Sequence, residues 1–592
     1  MLLDAPSKRN FDSFRGTFVR VGENTSKSEP DLSHFSMNAS TVKNNASNTN
    51  SRGPLAKTTV PAGISTGSFA LTVPGEAHIS SGMSSGKSIF KKGVKLGLNQ
   101  AFSQVCSFTK SVIIARLISP ADFGIAATFA MTFSFLEMIS NLAAETVLIQ
   151  AKDGNEPDFQ RTAQSLQVLR GLTNALFIFA LAGTASRLFG VPQAKLSFQC
   201  LALLPLIKGL MHLDVNRLQR DLKFGPSIMA ESGSNLLVTL AALPLGLWLR
   251  DYRAMLWLLI LQSAIYVVVS HLVADRGYAW GWSKVHARTI FSFGWPLLIN
   301  GLLLYVILQG DHFAIGAAHR LFKNSSYTLA DLGVYSVAFA LTFAPTVLVG
   351  NVCTSLFLPL LSRAQSDSVQ FQKRYRTCMQ ILSLMATIIQ TVFIVSGGWL
   401  VRAFYGQKYS AAGAFIGVLA AMQALRILRQ APTLAAMAHA DTKNAMICNI
   451  VRTSALAGVL FSCMTGQSLL WIAASGFVGE FLALLTCVWR LQLRHSIPAK
   501  LSFQPLAIVG LSMALGTTAV AMGIPQIGWA AAPLASLGLM LIMLVVTLLL
   551  FHELRNDIGT ILLESGFLFR SKPSALIQNP QIAPLTGDSA EA

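Results

Sequence analysis

The sequence predicts an all-α polytopic membrane protein with about 14 transmembrane helices, a prediction that rests on composition, on apolar runs and on an internal repeat. Of its 592 residues, 52% are hydrophobic and 12% are charged, and the mean hydropathy is +0.52. Soluble globular proteins carry about twice that share of charge. Apolar runs of about 20 residues recur along the chain, which is the length that crosses a bilayer as a helix.

The internal repeat joins residues 121–133 to residues 330–343, which begin Ala-Asp-Phe-Gly and Ala-Asp-Leu-Gly. The two copies start at Ala121 and Ala330, so the offset is 330 − 121 = 209 residues. In each copy a short polar turn opens a long apolar run. This pattern indicates that one membrane bundle is duplicated within the chain. A duplicated bundle has a cleft between its two halves near the bilayer midplane, where secondary transporters bind their cargo.

Fourteen runs are predicted to span the membrane, in chain order. They cover residues 94–118, 123–149, 163–188, 195–214, 227–249, 254–274, 290–318, 330–360, 377–402, 411–438, 444–465, 468–489, 503–523 and 529–551.

Lys and Arg residues in the loops predict the orientation, because they accumulate on the cytoplasmic side. One set of alternate loops, together with the segments flanking the spans, holds twenty-one of them, and the other set holds nine. We therefore expect both termini in the cytoplasm. The same bias explains much of the formal net charge of +19 without nucleic acid as a partner.

The chain is predicted to divide into five parts. Residues 1–90 form a Ser- and Asn-rich tail that is predicted to be disordered, and Met83 within it is an alternative translation start. An N-lobe (91–275), a C-lobe (276–490), two additional helices (491–551) and a cytoplasmic tail (552–592) follow. The loops between spans are too short for a folded catalytic domain, so we expect no enzyme activity and no cofactor.

Basic side chains inside the apolar runs are the candidates for substrate binding. Arg426 and Arg429 lie near the middle of their run, and Gln423 and Gln430 are polar neighbours on the same helical face. Charged groups at membrane depth are costly, so they tend to face a cavity or a partner. Guanidinium groups bind phosphate bidentately. Further candidates of the same kind are Lys110, Arg170 and Arg452.

Acidic residues are fewer within the runs, and this excess of cations favours an anionic substrate. Glu137, Glu480 and Asp311 are candidates for binding a coupling ion, with neutralisation of nearby arginines as the alternative role. The seven cysteines show no Cys-x-x-Cys pairing and are interpreted as small core residues, and no metal site is predicted.

Several segments resemble a known family. They are residues 115–124 (Ala-Arg-Leu-Ile-Ser-Pro-Ala-Asp-Phe-Gly), residues 218–224 (Leu-Gln-Arg-Asp-Leu-Lys-Phe), and the series Asp311, Gly316, 332–335, 356–359 and Ser362. Their order is similar to that in bacterial polysaccharide exporters, within the multidrug/oligosaccharidyl-lipid/polysaccharide superfamily. The exporters of lipopolysaccharide, colanic acid and succinoglycan type are the most similar, over residues 88–500. A departure occurs at residues 141–145, which read Asn-Leu-Ala-Ala-Glu where the family commonly has Asp-Leu-Gly.

The resemblance implies two six-helix lobes followed by two extra helices. It also implies that the protein flips an undecaprenyl-diphosphate-linked oligosaccharide from the cytoplasmic to the periplasmic leaflet by alternating access. The implied partners are that lipid-linked oligosaccharide, a polysaccharide polymerase and the chain-length and export machinery.

Three other functions stay open on the sequence alone. A cation-coupled multidrug or metabolite antiporter of the same superfamily would centre its cavity on acidic residues. A membrane-embedded polysaccharide polymerase or ligase would carry a large periplasmic loop with arginines. A scaffold without transport activity would need neither feature.

Overall fold

Every regular element is a helix in the computed structural model, over the residues that it describes, 86–524 and 530–551. The predicted N-terminal tail up to residue 85, the alternative start at Met83 and the predicted C-terminal tail from residue 552 lie outside these ranges.

Nine helices make up the N-terminal half of the described chain. They are α1 (Gly86–Leu117), α2 (Pro120–Ser140), α3 (Ala144–Gln150), α4 (Pro157–Leu188), α5 (Lys195–Cys200), α6 (Leu203–Gly209), α7 (Asp214–Arg220), α8 (Gly225–Leu249) and α9 (Arg253–Leu272), with a short 3-10 helix at Pro192–Ala194.

Ten further helices make up the C-terminal half. They are α10 (Lys284–Leu321), α11 (Leu329–Ser362), α12 (Ser368–Tyr405), α13 (Ile416–Leu428), α14 (Gln430–Ala438), α15 (Thr442–Thr453), α16 (Ala455–Thr465), α17 (Leu469–His495), α18 (Lys500–Ala521) and α19 (Ala531–Leu550), with a 3-10 helix at Gln407–Ala414 between α12 and α13.

The predicted count of fourteen spans is not confirmed, although each predicted run lies on one or more of these helices. Among the described residues, eleven helical segments are long and apolar enough to cross a membrane, or thirteen if each of two bent pairs is one span. The predicted first span lies on α1, which is not among them because Gln100, Gln104 and Lys110 lower its apolar content. The predicted fourth and tenth spans are bent, by 48° and 62°.

Two backbone breaks precede the arginines of α13, and the 62° bend is the second of them, at Phe415 (φ −130°, ψ −6°) between the 3-10 helix Gln407–Ala414 and α13. The first break lies at the end of α12. Gly406 has a φ of +92°, a conformation that side-chain-bearing residues rarely adopt, and the helix stops there. The chain continues as the 3-10 helix Gln407–Ala414 and then as α13. α13 packs directly against α12, and this contact positions the arginines farther along α13.

Helices of the two halves pack directly against each other. In the N-terminal half, α2 contacts α10 and α11, and α1 contacts α11 and α12. The main apolar core extends through both halves and includes large buried side chains such as Phe129, Phe198 and Tyr335. The candidate site lies in the C-terminal half, where α13, α15 and α17 meet.

Candidate functional site

Three arginines from α13 to α15 converge on one carboxylate, that of Glu480 on α17. The Nε of Arg426 lies 2.7 Å from Oε1 of Glu480, and the Nε of Arg452 lies 2.6 Å from the same oxygen. The Nε of Arg429, at the junction of α13 and α14, lies 3.2 Å from Oε2. These four residues are called the arginine cluster below.

The cluster is buried inside the bundle. The side chain of Glu480 is 1% exposed, and those of the three arginines are at most 11% exposed. Removing charges from water is costly, and the cost is repaid only by close opposite charges and hydrogen bonds. Here three cations share one carboxylate, so the cluster keeps an excess of positive charge.

Asp311 of α10 supplies a second carboxylate next to the cluster. It lines a cavity of about 50 Å³ together with Arg426 and Arg452. One of its oxygens accepts a hydrogen bond from the hydroxyl of Tyr335 at 2.7 Å, and the other lies 2.8 Å from Nδ1 of His312. Its two oxygens are thus already engaged, and the charged residues that line the cavity are this one acid and two arginines. This volume is well below the roughly 300–1,000 Å³ of typical ligand sites, so a sugar phosphate would enter only if the helices moved apart.

Several polar atoms beside the cluster have no hydrogen-bond partner among the described residues. They are Nη1 of Arg426 and both side-chain polar atoms of Gln423, which is fully buried three residues earlier on α13. The guanidinium carbon of Arg426 lies 5.4 Å from the ring centre of Phe343. Buried polar groups are normally hydrogen-bonded. Donors without a partner, next to an excess of positive charge, are therefore suited to bind an anion.

Lys110 lies apart from the cluster, whereas Gln430 directly follows Arg429 along the chain. Lys110 of α1 donates to Oε1 of Gln262 at 2.7 Å, and Gln262 in turn donates to Asn235. Gln430 begins α14 and faces Gly350 of α11.

Arg170 belongs to a second polar group, on α2, α4 and α6. Its Nε donates to the hydroxyl of Ser140 at 3.1 Å, and Nη2 donates to the backbone carbonyl of Glu137. The carboxylate of Glu137 pairs with Lys208 at 2.9 Å, and both side chains are about one-third exposed. All three coupling-ion candidates, Glu137, Asp311 and Glu480, therefore have cationic or hydrogen-bonding partners in this conformation.

The sequence predicted each member of the cluster as a separate candidate. It did not predict that the three arginines meet at the carboxylate of Glu480. Arg426 and Glu480 are 54 residues apart on different helices. Spacing within one helix cannot show which faces meet across the bundle. Asp311 carried a weak signal, since its neighbour His312 and the later Tyr335 are polar residues in apolar runs, but their contact also depends on tertiary packing.

This architecture, apolar helices around a buried, cation-rich cluster, is that of a multi-pass membrane protein. The chain belongs to the family described as polysaccharide biosynthesis protein, which it matches over residues 113–414. The resemblance found in the sequence motifs is thereby confirmed.

Two relatives support this assignment. The chain is 24% identical over 325 residues to the succinoglycan biosynthesis transport protein ExoT of Rhizobium meliloti (strain 1021), which covers 53% of this chain and 62% of that protein. It is 21% identical over 401 residues to an uncharacterized membrane protein in the cps region of Klebsiella pneumoniae, covering 65% and 76%. The chain thus spans less than two thirds of the length of the succinoglycan transport protein.

Two solved structures share the fold. The lipid II flippase MurJ in an inward closed conformation superposes with a TM-score of 0.60 at 14% identity, covering 78% of this chain and 99% of that one. An inward-facing MATE multidrug resistance transporter gives 0.51 at 11% identity, covering 66% and 95%. These two likenesses show the shared fold, and the sequence relative with a stated role is a transport protein, which agrees with the prediction that the chain is not an enzyme.

Proposed function

We propose that the protein exports polysaccharide by flipping lipid-diphosphate-linked oligosaccharide repeat units across the bacterial inner membrane by alternating access. The single observation that carries this proposal is the arginine cluster, in which three buried guanidiniums share one carboxylate. A diphosphate supplies two or more negative charges and bidentate acceptors, so it matches both the charge and the shape of these groups. The similarity to a succinoglycan transport protein supports the same class of cargo.

Within this proposal Arg426, Arg429 and Arg452 bind the diphosphate, and Gln423 donates to it from the same wall. An arriving diphosphate competes with Glu480 for the guanidiniums. Asp311 is then the most direct candidate for ion coupling, because it borders the cavity that the substrate enters. Glu137 and Glu480 are the other two candidates.

A drug antiporter is the nearest alternative and fits the cluster less well. A cavity that binds organic cations needs free carboxylates, whereas Glu480 is surrounded by arginines and both oxygens of Asp311 are engaged. A polymerase or ligase would carry a large periplasmic loop. Within residues 86–524 the longest connection between helices is the segment 273–283, which is too short to be such a loop, so this function is disfavoured.

Gene deletion tests the proposal directly. Loss of the flippase should cause lipid-linked repeat units to accumulate on the cytoplasmic leaflet, because the polymerase acts on the other side. Complementation with Arg426→Ala plus Arg429→Ala should fail although the protein is inserted at normal abundance. The Lys variants should restore export only in part, since Lys keeps the charge but loses the planar fork. Normal export from the double Ala variant would refute the assignment of the site.

The proposed orientation, with both termini cytoplasmic, has its own test. Cysteines placed in the segment 363–367 between α11 and α12 should react only from the cytoplasmic side. Those placed in residues 322–328, between α10 and α11, should react only from the periplasmic side. The reverse labelling pattern would show that both termini are periplasmic. It would have no bearing on the arginine cluster.

A further inference from the structure

A row of stacked aromatic rings runs along one face of α11. Tyr335, Phe339 and Phe343 are spaced four residues apart, which places them on the same side of the helix. The ring centres of Tyr335 and Phe339 lie 6.3 Å apart with 27° between the ring planes, and those of Phe339 and Phe343 lie 5.3 Å apart with 29°. These three residues are called the aromatic row below.

The aromatic row occurs in only one copy of the internal repeat. The register of the two copies is fixed by their helix caps. Ser119 caps α2 by accepting from the backbone N–H of Asp122 at 3.1 Å, and Thr328 caps α11 in the same way through Asp331, at 3.3 Å. At the same offset of 209 residues, the positions of α2 that correspond to the row hold small side chains, those of Ala126, Ala130 and Ser134. The rings are therefore specific to the half of the chain that also holds the arginine cluster.

One end of the aromatic row lies at the arginine cluster. The guanidinium carbon of Arg426 lies 5.4 Å from the ring centre of Phe343. One helical turn earlier, Phe339 lines the cavity of about 50 Å³ together with Arg426. Both phenylalanines are only half-buried, so part of each ring is not covered by protein.

The other end of the row is covered by protein. Tyr335 is 1% exposed, and the ring of Phe415 stacks on it with centres 5.9 Å apart. The ring of His312 lies nearly perpendicular to that of Phe339, with centres 4.9 Å apart. These contacts hold the row in place from behind. Phe339 and Phe343 are thus the two rings of the row that a ligand can contact.

We propose that Phe339 and Phe343 form a sugar-binding platform beside the diphosphate site, and this proposal rests on the proposed function. The C–H groups on a face of a pyranose ring carry a small positive charge, and they pack against the electron-rich face of an aromatic ring. In a lipid-diphosphate-linked oligosaccharide the first sugar is bonded directly to a phosphate. A diphosphate held by Arg426 therefore brings that sugar next to the platform. Asp311 and Thr453 line the same cavity, which combines an apolar wall with a few polar groups, as ligand sites commonly do.

Two synthetic lipids that differ only in the sugar test this inference. The first is farnesyl diphosphate, and the second is the same lipid diphosphate esterified to glucose. The dissociation constants of both lipids for the full-length protein in nanodiscs are measured by isothermal titration calorimetry. Glucose carries C–H groups on both faces of its ring, so stacking does not depend on which face it presents.

The wild type should bind the glucosylated lipid about fivefold more tightly than farnesyl diphosphate, which is the size of gain that aromatic contacts supply. Phe339→Leu keeps most of the apolar volume and removes the ring, so this gain should disappear while the affinity for farnesyl diphosphate stays within about twofold. Phe339→Tyr keeps the ring and should retain the gain. Phe481→Leu is the matched control, because Phe481 stacks on Phe477 four residues away, with centres 6.5 Å apart, and is not among the residues that line the cavity.

Four outcomes would overturn the inference. They are equal affinity of the wild type for the two lipids, retention of the gain in Phe339→Leu, equal weakening of both lipids in that variant, and loss of the gain in the Phe481→Leu control. If Phe339→Leu does not accumulate, Phe343→Leu takes its place and is judged by the same ratio of the two affinities.

The sugar-free lipid reports separately on the proposed function. Arg426→Gln should weaken the binding of both lipids equally, because it acts on the diphosphate that they share. A wild type that does not bind farnesyl diphosphate would refute the diphosphate site, and the platform with it. A wild type that binds both lipids equally would refute the platform alone.

Discussion

Replacing Glu480 by Gln removes the only carboxylate within ion-pair distance of the arginine cluster among the described residues. Gln keeps the size of the side chain and leaves three buried guanidiniums without a counter-charge. Breaking a buried ion pair from one side costs about 3–5 kcal/mol. We expect a loss of this size in the free energy of unfolding, measured by titration with SDS in mixed micelles.

A matched control is Glu137→Gln, at the other carboxylate that pairs with a cation inside the predicted spans. The side chains of Glu137 and Lys208 are 34% and 37% exposed, against 1% for Glu480. Gln at position 137 strands one partly exposed ammonium and not three buried guanidiniums, so this variant should lose less than Glu480→Gln. The double variant Glu480→Gln, Arg452→Gln should recover part of the loss, with a coupling energy of about 0.5–3 kcal/mol.

The same variant reports on anion binding. Without the competing carboxylate, the cluster should bind inorganic pyrophosphate more tightly, so pyrophosphate should stabilise the Glu480→Gln variant more than the wild type. Equal losses in the Glu480 and Glu137 variants would refute the stability reasoning. Equal stabilisation of variant and wild type by pyrophosphate would refute the competition between Glu480 and the substrate.

Two further predictions follow from single residues. Lys110→Met should cost at most about 1–3 kcal/mol of stability in the same titration, because it strands only the neutral acceptor Gln262 and no carboxylate. A larger loss would show that Lys110 has a charged partner. His439 lies just after α14, where burial and the stacked ring of His495, 4.7 Å away between centres, lower its pKa. Its neutral form is thus favoured in the folded state, so stability should fall as the pH drops below about 6.5, and the fall should be smaller in His439→Gln.

The sequence predicted the helical class and the family because both depend on composition and on local order. Apolar runs and the repeat at an offset of 209 residues are visible without any tertiary contact. The repeat even marked the two helix starts that meet at Gly124 and Gly333, although nothing in the sequence said that they touch.

Helix breaks and convergent side chains could not be predicted in the same way. The run 411–438 looks continuous, yet the chain bends by 62° between Gln407–Ala414 and Ile416–Ala438. The residues of the arginine cluster lie on or next to α13, α15 and α17. They meet only because of the angles at which these helices pack, and the periodicity of the sequence does not indicate those angles. Lys110 is also a cation within an apolar run, yet it lies among α1, α8 and α9, beside the neutral amide of Gln262, and the sequence alone could not show this difference.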